Sequence, residues 1–263
     1  MIQDAEIDPQ RAAALHATLS HDGPPPGEGS PLPDFWHWAF FWVVEPPENL
    51  GRDGHPKPGG FVPDTGLPRR MWAGGALEFH QPLTIGQPAK RVSEVLSVTE
   101  KTGKSGPLAF VQVRHIISQS DVPCITELQD LVYREDAKPG EPEGAHAAAP
   151  TEAELIEAHS VTTTDLFRYS ALTFNGHRIH YDLDYCRDVE GYPGLIVHGP
   201  LLAQRLIELA TQHLGPLKTF TFRARAPVFH QETFSACLMP TQPGADLWIT
   251  AEDGRLAMTG LAT

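Results

Sequence analysis

Between residues 91 and 135 three segments follow one another, RVSEVLSV, AFVQVRHIIS and CITELQDLVYRE, in which apolar and β-branched side chains roughly alternate with polar ones. A period of two puts every second side chain on one face, so each segment reads as a strand with one buried side. The stretch EKTGKSGP between the first two carries hairpin-turn chemistry, which makes an antiparallel meander of a β region running from residue 76 to 135. The GKS at 103 to 105 belongs to that turn. A phosphate-binding loop needs a further glycine five positions before Gly103, and Val98 stands there.

The second half repeats the theme. Residues 136 to 150, DAKPGEPEGAHAAAP, hold no core-forming run and read as a linker. Beyond it come TEAELIEAHS, which reads as helical, the motif TFNGHRIHYD, a GYPG loop, a helix, and strands at 219–225, 233–239, 246–251 and 255–262. Both halves therefore end in a meander, which points to an internal duplication. Laying LEFHQPL (77–83) on FRARAPV (222–228) matches Pro82 with Pro227; the repeated FHQ at 79 and 229 offers a competing register. The expected division is a first unit over 1–137, a linker over 138–152 and a second unit over 153–263.

The amino-terminal part adds a short helix at 11–21 and a proline and glycine connector, HDGPPPGEGSPLP. The aromatic cluster DFWHWAFFW at 34–42 reads as a buried wall or a contact surface. With 33 acidic against 20 basic residues the net charge is −13, which argues against nucleic acid or an anionic membrane surface as partner. Cys124, Cys186 and Cys237 are odd in number and widely spaced, so no disulfide framework is expected. No apolar run approaches the ~20 residues of a membrane span, and MIQDAEIDPQ lacks the apolar stretch of a secretion signal. A cytoplasmic protein is the expectation, and nothing in the sequence specifies whether it forms a homodimer.

GLIVHGPLLAQRLIELATQHLG, residues 194–215, carries the clearest helix signal. Pro200 suits a first turn, Leu202, Leu206 and Leu209 share one face, and Gly215 before Pro216 supplies the stop. His198, Gly199 and Leu201 stand where free backbone amides and the positive end of the helix dipole converge. Such a place can hold an oxyanion or be an ordinary helix start.

In TFNGHRIHYD, His177 and His180 are three apart, with Asp182 and Asp184 nearby. They could ligate a metal, move protons or pack. Neither a zincin H-E-x-x-H pattern nor a cysteine pair accompanies them, so no metal is expected.

Residues 169 to 199 resemble the hydratase signature of the MaoC-like, R-specific enoyl-CoA hydratase family, in which an acid and a histidine five residues apart precede a glycine-containing helix start. Asn175 and His180 occupy those two positions, and VHGPL matches the helix start. LPRRMWAGGALEFHQPL, VTEKTGKSG, LVYRE and FRYSALTFNGHRIHYD together resemble the branch of double hot-dog proteins that includes mesaconyl-C4-CoA and itaconyl-CoA hydratases and type 2 hydroxyacyl-thioester dehydratases. The resemblance implies an α+β double hot-dog fold, two pseudo-repeats each with a long helix wrapped by an antiparallel sheet. It implies a non-catalytic, substrate-binding first unit and a second unit that carries the chemistry.

The implied activity is reversible hydration of an enoyl-CoA thioester, itaconyl-CoA or mesaconyl-C4-CoA giving citramalyl-CoA, with no cofactor beyond the CoA of the substrate. A hot-dog thioesterase and a catalytically silent acyl-CoA-binding protein are the alternatives. Asn175 stands where the broader pattern has aspartate; it can hold a water but cannot exchange a proton at neutral pH. His180 then carries the proton traffic, and the amide of Gly199 polarises the thioester carbonyl. His177 could relay a second proton or contact substrate, and His198 at the helix start could contact it too. Arg223 and Arg225 are expected at a basic entrance for CoA phosphates, and Arg178, Arg69 or Arg70 at a substrate carboxylate.

Overall fold

The computed structural model describes residues 1–103, 106–136 and 146–263. In the first half the strands are β1 (Ile2–Glu6), β2 (Arg69–Phe79), β3 (Pro88–Gly103), β4 (Gly106–Gln119) and β5 (Val122–Arg134). The second half has β6 (Leu155–Ser160), β7 (Thr219–Ala224), β8 (Thr233–Pro240), β9 (Ala245–Ala251) and β10 (Leu256–Ala262). The helices are α1 (Pro9–Thr18), α2 (Thr163–Thr173) and α3 (Gly199–Leu214). All ten strands form one sheet in the order β1-β3-β4-β5-β2-β7-β10-β9-β8-β6. Read outward from the β2–β7 junction, the two halves have the same topology, as a duplicated α+β double hot-dog requires.

The proline register is the one the backbone adopts. Thr84 follows Pro82 by two and bridges Pro31; Phe229 follows Pro227 by two and bridges Ile196. The β3–β4 hairpin closes on the pair Gly103 and Gly106, and the two residues between them, part of the GKS triplet, lie outside the described residues. Most of the expected linker, residues 137–145, lies outside them as well.

Two expectations need correction, and one strand was not expected. The helical reading of TEAELIEAHS fails: Leu155–Ser160 is a strand whose burial alternates, and it pairs antiparallel with β8. The helix starts later, at Thr162, where a capping box with Asp165 satisfies two orphan amides. Ile2–Glu6 is an edge strand the composition concealed, pairing with β3. Among the described residues the first unit also lacks a long counterpart of α3, because DFWHWAFFW forms only a four-residue 3-10 turn, Trp36–Ala39.

That aromatic segment is core, with Phe35, Trp36, Phe40 and Phe41 all buried. Its His37 shares a 3.0 Å hydrogen bond with buried Glu127, to which Trp38 also donates. Burial pushes the Glu127 carboxyl up, but His37, His115 and a hydrogen bond from Gln129 together outweigh it and hold the group down to about 2. Helix α3 packs against β8, β9 and β10 and buries Leu202, Leu206 and Leu209 as its periodicity requires. Each such side chain contributes about 1.5–3 kcal/mol. Among the described residues no helix is long and apolar enough to cross a membrane.

Candidate active site

A cavity of about 2120 Å³ opens between the two halves of the sheet. It exceeds the ~300–1,000 Å³ of ordinary small-molecule pockets, so an extended ligand fits. The motif forms one wall. Phe174 closes α2 in the left-handed conformation, and the chain then turns into a 3-10 turn over Arg178–His180. Asn175 shapes that turn: its Oδ1 accepts from the His177 amide at 3.0 Å, and its own amide donates to Ser170.

His180 is held in one tautomer. Its Nδ1 lies 2.8 Å from the carbonyl oxygen of Ile196, which can only accept, so Nδ1 carries the proton and Nε2 keeps its lone pair. Burial pushes its pKa down to about 4, with the Ile196 bond opposing, so the ring is neutral at pH 7. His180 and Gly199 line the same cavity. A neutral imidazole with a free Nε2 beside a ligand space can accept a proton from a water.

His198 does not line the cavity. It is fully buried as the residue before α3, its Nε2 is 2.8 Å from Ser170 Oγ, and its ring stacks on His180 at 3.6 Å. It buttresses the base instead of meeting a ligand, because the helix start turns its side chain inward. Gly199, next in sequence, faces the cavity with the indole of Trp72 over it: a Cβ there would lie 2.7 Å from Trp72 Cε3. Only a glycine lets that ring close over the helix start.

The arginines separate cleanly. Arg69 is buried and spent, its Nε 2.6 Å from Glu190 Oε2 and its guanidinium over the Tyr192 ring. Arg178 does not line the cavity; its Nη2 is 2.7 Å from Asp182 Oδ2 in an i,i+4 pair on the outer side. Arg223 is exposed but not on the cavity, since alternation along β7 sends Phe222 inward and Arg223 outward. Arg225 lines the cavity because it lies beyond the strand end. Arg70 lines it too; among the described residues its guanidinium makes no ion pair or hydrogen bond, and its charge acts on Asp53 and His55.

The sequence reading missed Asp53 and His55. They sit in the polar loop GRDGHPKPGG, where turn residues hide any chemical signal; the Asp-Gly-His triplet is the one trace of it. Asp53 Oδ2 is 3.0 Å from His55 Nδ1, and the His55 ring lies 4.3 Å from that of His177, itself 5.5 Å from His180. The loop is tied to the motif: the Arg178 amide donates to the Asp53 carbonyl at 2.8 Å, and Gly54, at φ +88°, packs directly on the Gly176 carbonyl. Burial and the nearby Arg70 cation hold His55 below its ordinary value, against the pull of Asp53. Burial holds His177 far below its own, with His55 adding to the effect. One donor atom from each of Asp53, His55 and His177 converges within 4.8 Å. Within this trio a proton is already shared along the Asp53–His55 hydrogen bond, and the Arg70 charge lies beside it.

Comparison with known proteins gives the family and the fold. A family model described as hydroxyacyl-thioester dehydratase type 2 matches residues 35–230. The chain is 46% identical over 257 residues to the mesaconyl-C(4)-CoA hydratase of Chloroflexus aurantiacus, covering 95% of this chain and 89% of that protein. Among solved structures, HtdX of Mycobacterium tuberculosis superposes with a TM-score of 0.70 at 15% identity, covering 99% of this chain and 97% of the other. A second M. tuberculosis protein, described as having a double hotdog fold, does so with a TM-score of 0.56 at 14% identity, covering 100% and 94%. The two structures share the fold, and the family match together with the 46% identity carries the assignment: this chain belongs to the hydroxyacyl-thioester dehydratase type 2 family.

Proposed function

We propose that the protein is a hydro-lyase that reversibly adds water to an enoyl-CoA thioester whose acyl group carries a second carboxylate, as mesaconyl-C4-CoA and itaconyl-CoA do, giving citramalyl-CoA. The observation that carries this reading is that a neutral His180, its Nε2 free, and the Gly199 helix start line one cavity. The thioester oxygen accepts from the Gly199 amide. With the α,β-alkene of mesaconyl-C4-CoA, His180 removes a proton from water as its oxygen bonds to the β carbon, and the π electrons move to an enolate oxygen held at the helix start. Asn175, its Oδ1 committed to the turn, offers its amide Nδ2 to the same water.

The charge balance supports a dicarboxylic acyl group. Arg69 and Arg178 are already paired, and Arg70 is the cavity cation beside the histidines that lacks a partner among the described residues. A substrate carboxylate on or next to the β carbon would supply it, while Arg225 offers a charge to the CoA phosphates at the rim. Residues 1–137 then provide the wall for the ligand and residues 153–263 the hydratase motif, joined through 138–152. We propose that it works without a metal or cofactor, and in the cytoplasm, where its three buried cysteines remain free thiols.

The test is incubation of the purified protein with crotonyl-CoA, mesaconyl-C4-CoA and itaconyl-CoA, followed by mass analysis for addition of water. Hydration of the two dicarboxylic thioesters is expected, and Arg70→Gln should depress it far more than any crotonyl-CoA turnover. Release of free CoA without hydration, or binding without turnover, would overturn the reading.

A further inference from the structure

Hydration needs two proton transfers, one from water and one to the α carbon, and Asn175 cannot perform the second. Resting on the hydratase reading above, we infer that His55, oriented by Asp53 in the first unit, delivers the proton to the α carbon, so that the acid and the base come from opposite halves of the molecule.

Three features carry this. His55 lines the cavity, and its Nδ1 is committed to Asp53, which leaves Nε2 as the atom free to face a ligand. The loop bearing it is docked on the catalytic motif by the Asp53–Arg178 backbone bond and the Gly54–Gly176 contact, so its position relative to His180 is fixed. His177 stands between the two rings, 4.3 Å from one and 5.5 Å from the other.

The groups facing His55 also suit an acid. The Asp53 carboxylate supports an imidazolium, and the Arg70 charge opposes one. A substrate carboxylate that neutralises Arg70 removes that opposition, so binding itself raises the proton affinity of His55.

The step balances as follows. The water O–H bond breaks and its proton goes to His180 Nε2, while the hydroxyl oxygen bonds to the β carbon. The enolate then collapses, restoring the carbonyl, and the α carbon takes the proton from protonated His55 Nε2. The proton on His180 returns to His55 through His177, and the net addition is one water.

The variants His55→Gln and Asp53→Asn test this in the full chain, with mesaconyl-C4-CoA as substrate and succinyl-CoA as a non-hydratable binding probe. H55Q should lower kcat by about 10²–10⁴-fold with KM and succinyl-CoA affinity little changed. D53N should keep more activity but move the basic limb of the kcat profile to lower pH, because the imidazolium loses its carboxylate. A merely structural loop residue would lower thermal stability without moving that limb. An H55Q kcat within tenfold of the parent, an unshifted limb in D53N, or loss of succinyl-CoA binding in step with rate would each overturn the inference. Should H55Q fail to fold, the D53N limb decides. A parent protein that hydrates no thioester overturns the hydratase reading, and this role with it.

Discussion

Replacing Gly199 by alanine isolates the geometry of the helix start, because the variant keeps the backbone N–H and adds one methyl. That methyl would lie 2.7 Å from Trp72 Cε3 and 3.1 Å from Cζ3, against an ordinary contact of at least 3.4 Å, so one side must yield by about 0.7 Å. The indole has little room: it packs edge-on to Trp38 at 5.4 Å and against Phe222 at 4.5 Å. Overpacking of this kind costs about 1–3 kcal/mol. At roughly 2–4 °C per kcal/mol, the midpoint of thermal unfolding should fall by about 2–12 °C. If the amide itself moves by a comparable amount, kcat/KM should drop on the order of tenfold to a hundredfold, since ~1 Å of misplacement is worth about 10². Thermal unfolding and steady-state hydration measure both. Adding Trp72→Ala should recover stability if the indole is the obstacle. A G199A protein with unchanged midpoint and unchanged kcat/KM would refute the close packing of Trp72 over the helix start.

Further outcomes follow from the same geometry. Because His180 must be neutral to act as a base and its pKa is pushed down to about 4, the acid limb of kcat/KM should lie near pH 4 rather than near 6.5; a limb at 6.5 would contradict its burial. The folded pKa lies below the unfolded one, so the unfolded chain takes up the proton first. Stability from neutral His180 is therefore present above pH 6.5 and lost as pH falls through about 4. It amounts to at most on the order of 3 kcal/mol at 1.36 kcal/mol per unit. Urea unfolding of the parent and of H180Q at pH 7 and pH 4 should show their difference changing by that order; a constant difference would sink the assignment. Gly54→Ala places a Cβ on the Gly176 carbonyl at a φ of +88°, so it should release the His55 loop and cut hydration while β3 to β5 stay folded. Full activity in that variant would show that the loop needs no such docking.

Much of the fold was legible because it depends on local periodicity. The alternation in 91–135 located β3 to β5, and Leu202, Leu206 and Leu209 with Gly215 bounded α3 to within a residue or two. LIEAHS misled because six residues serve a short edge strand and a helical turn equally well, and only pairing with β8 decides between them. Resemblance to a hydratase signature singled out His180, Asn175 and Gly199, and all three line the cavity.

What the chain alone determined, then, was which side chains are buried and which residues sit at turns and helix starts, since those follow from steps of two and of 3.6 along a backbone. Tertiary structure decided everything that depends on distance between remote segments. Arg69 is consumed by Glu190, while Arg70, its neighbour in sequence, has no ion pair among the described residues and sets its charge beside Asp53 and His55. The Ile196 carbonyl chooses the His180 tautomer, and a loop more than a hundred residues upstream sets Asp53 and His55 beside His177. Proton affinity and ion pairing fall off over a few ångströms in space, and sequence separation carries no information about that distance until the two halves of the sheet have closed on each other.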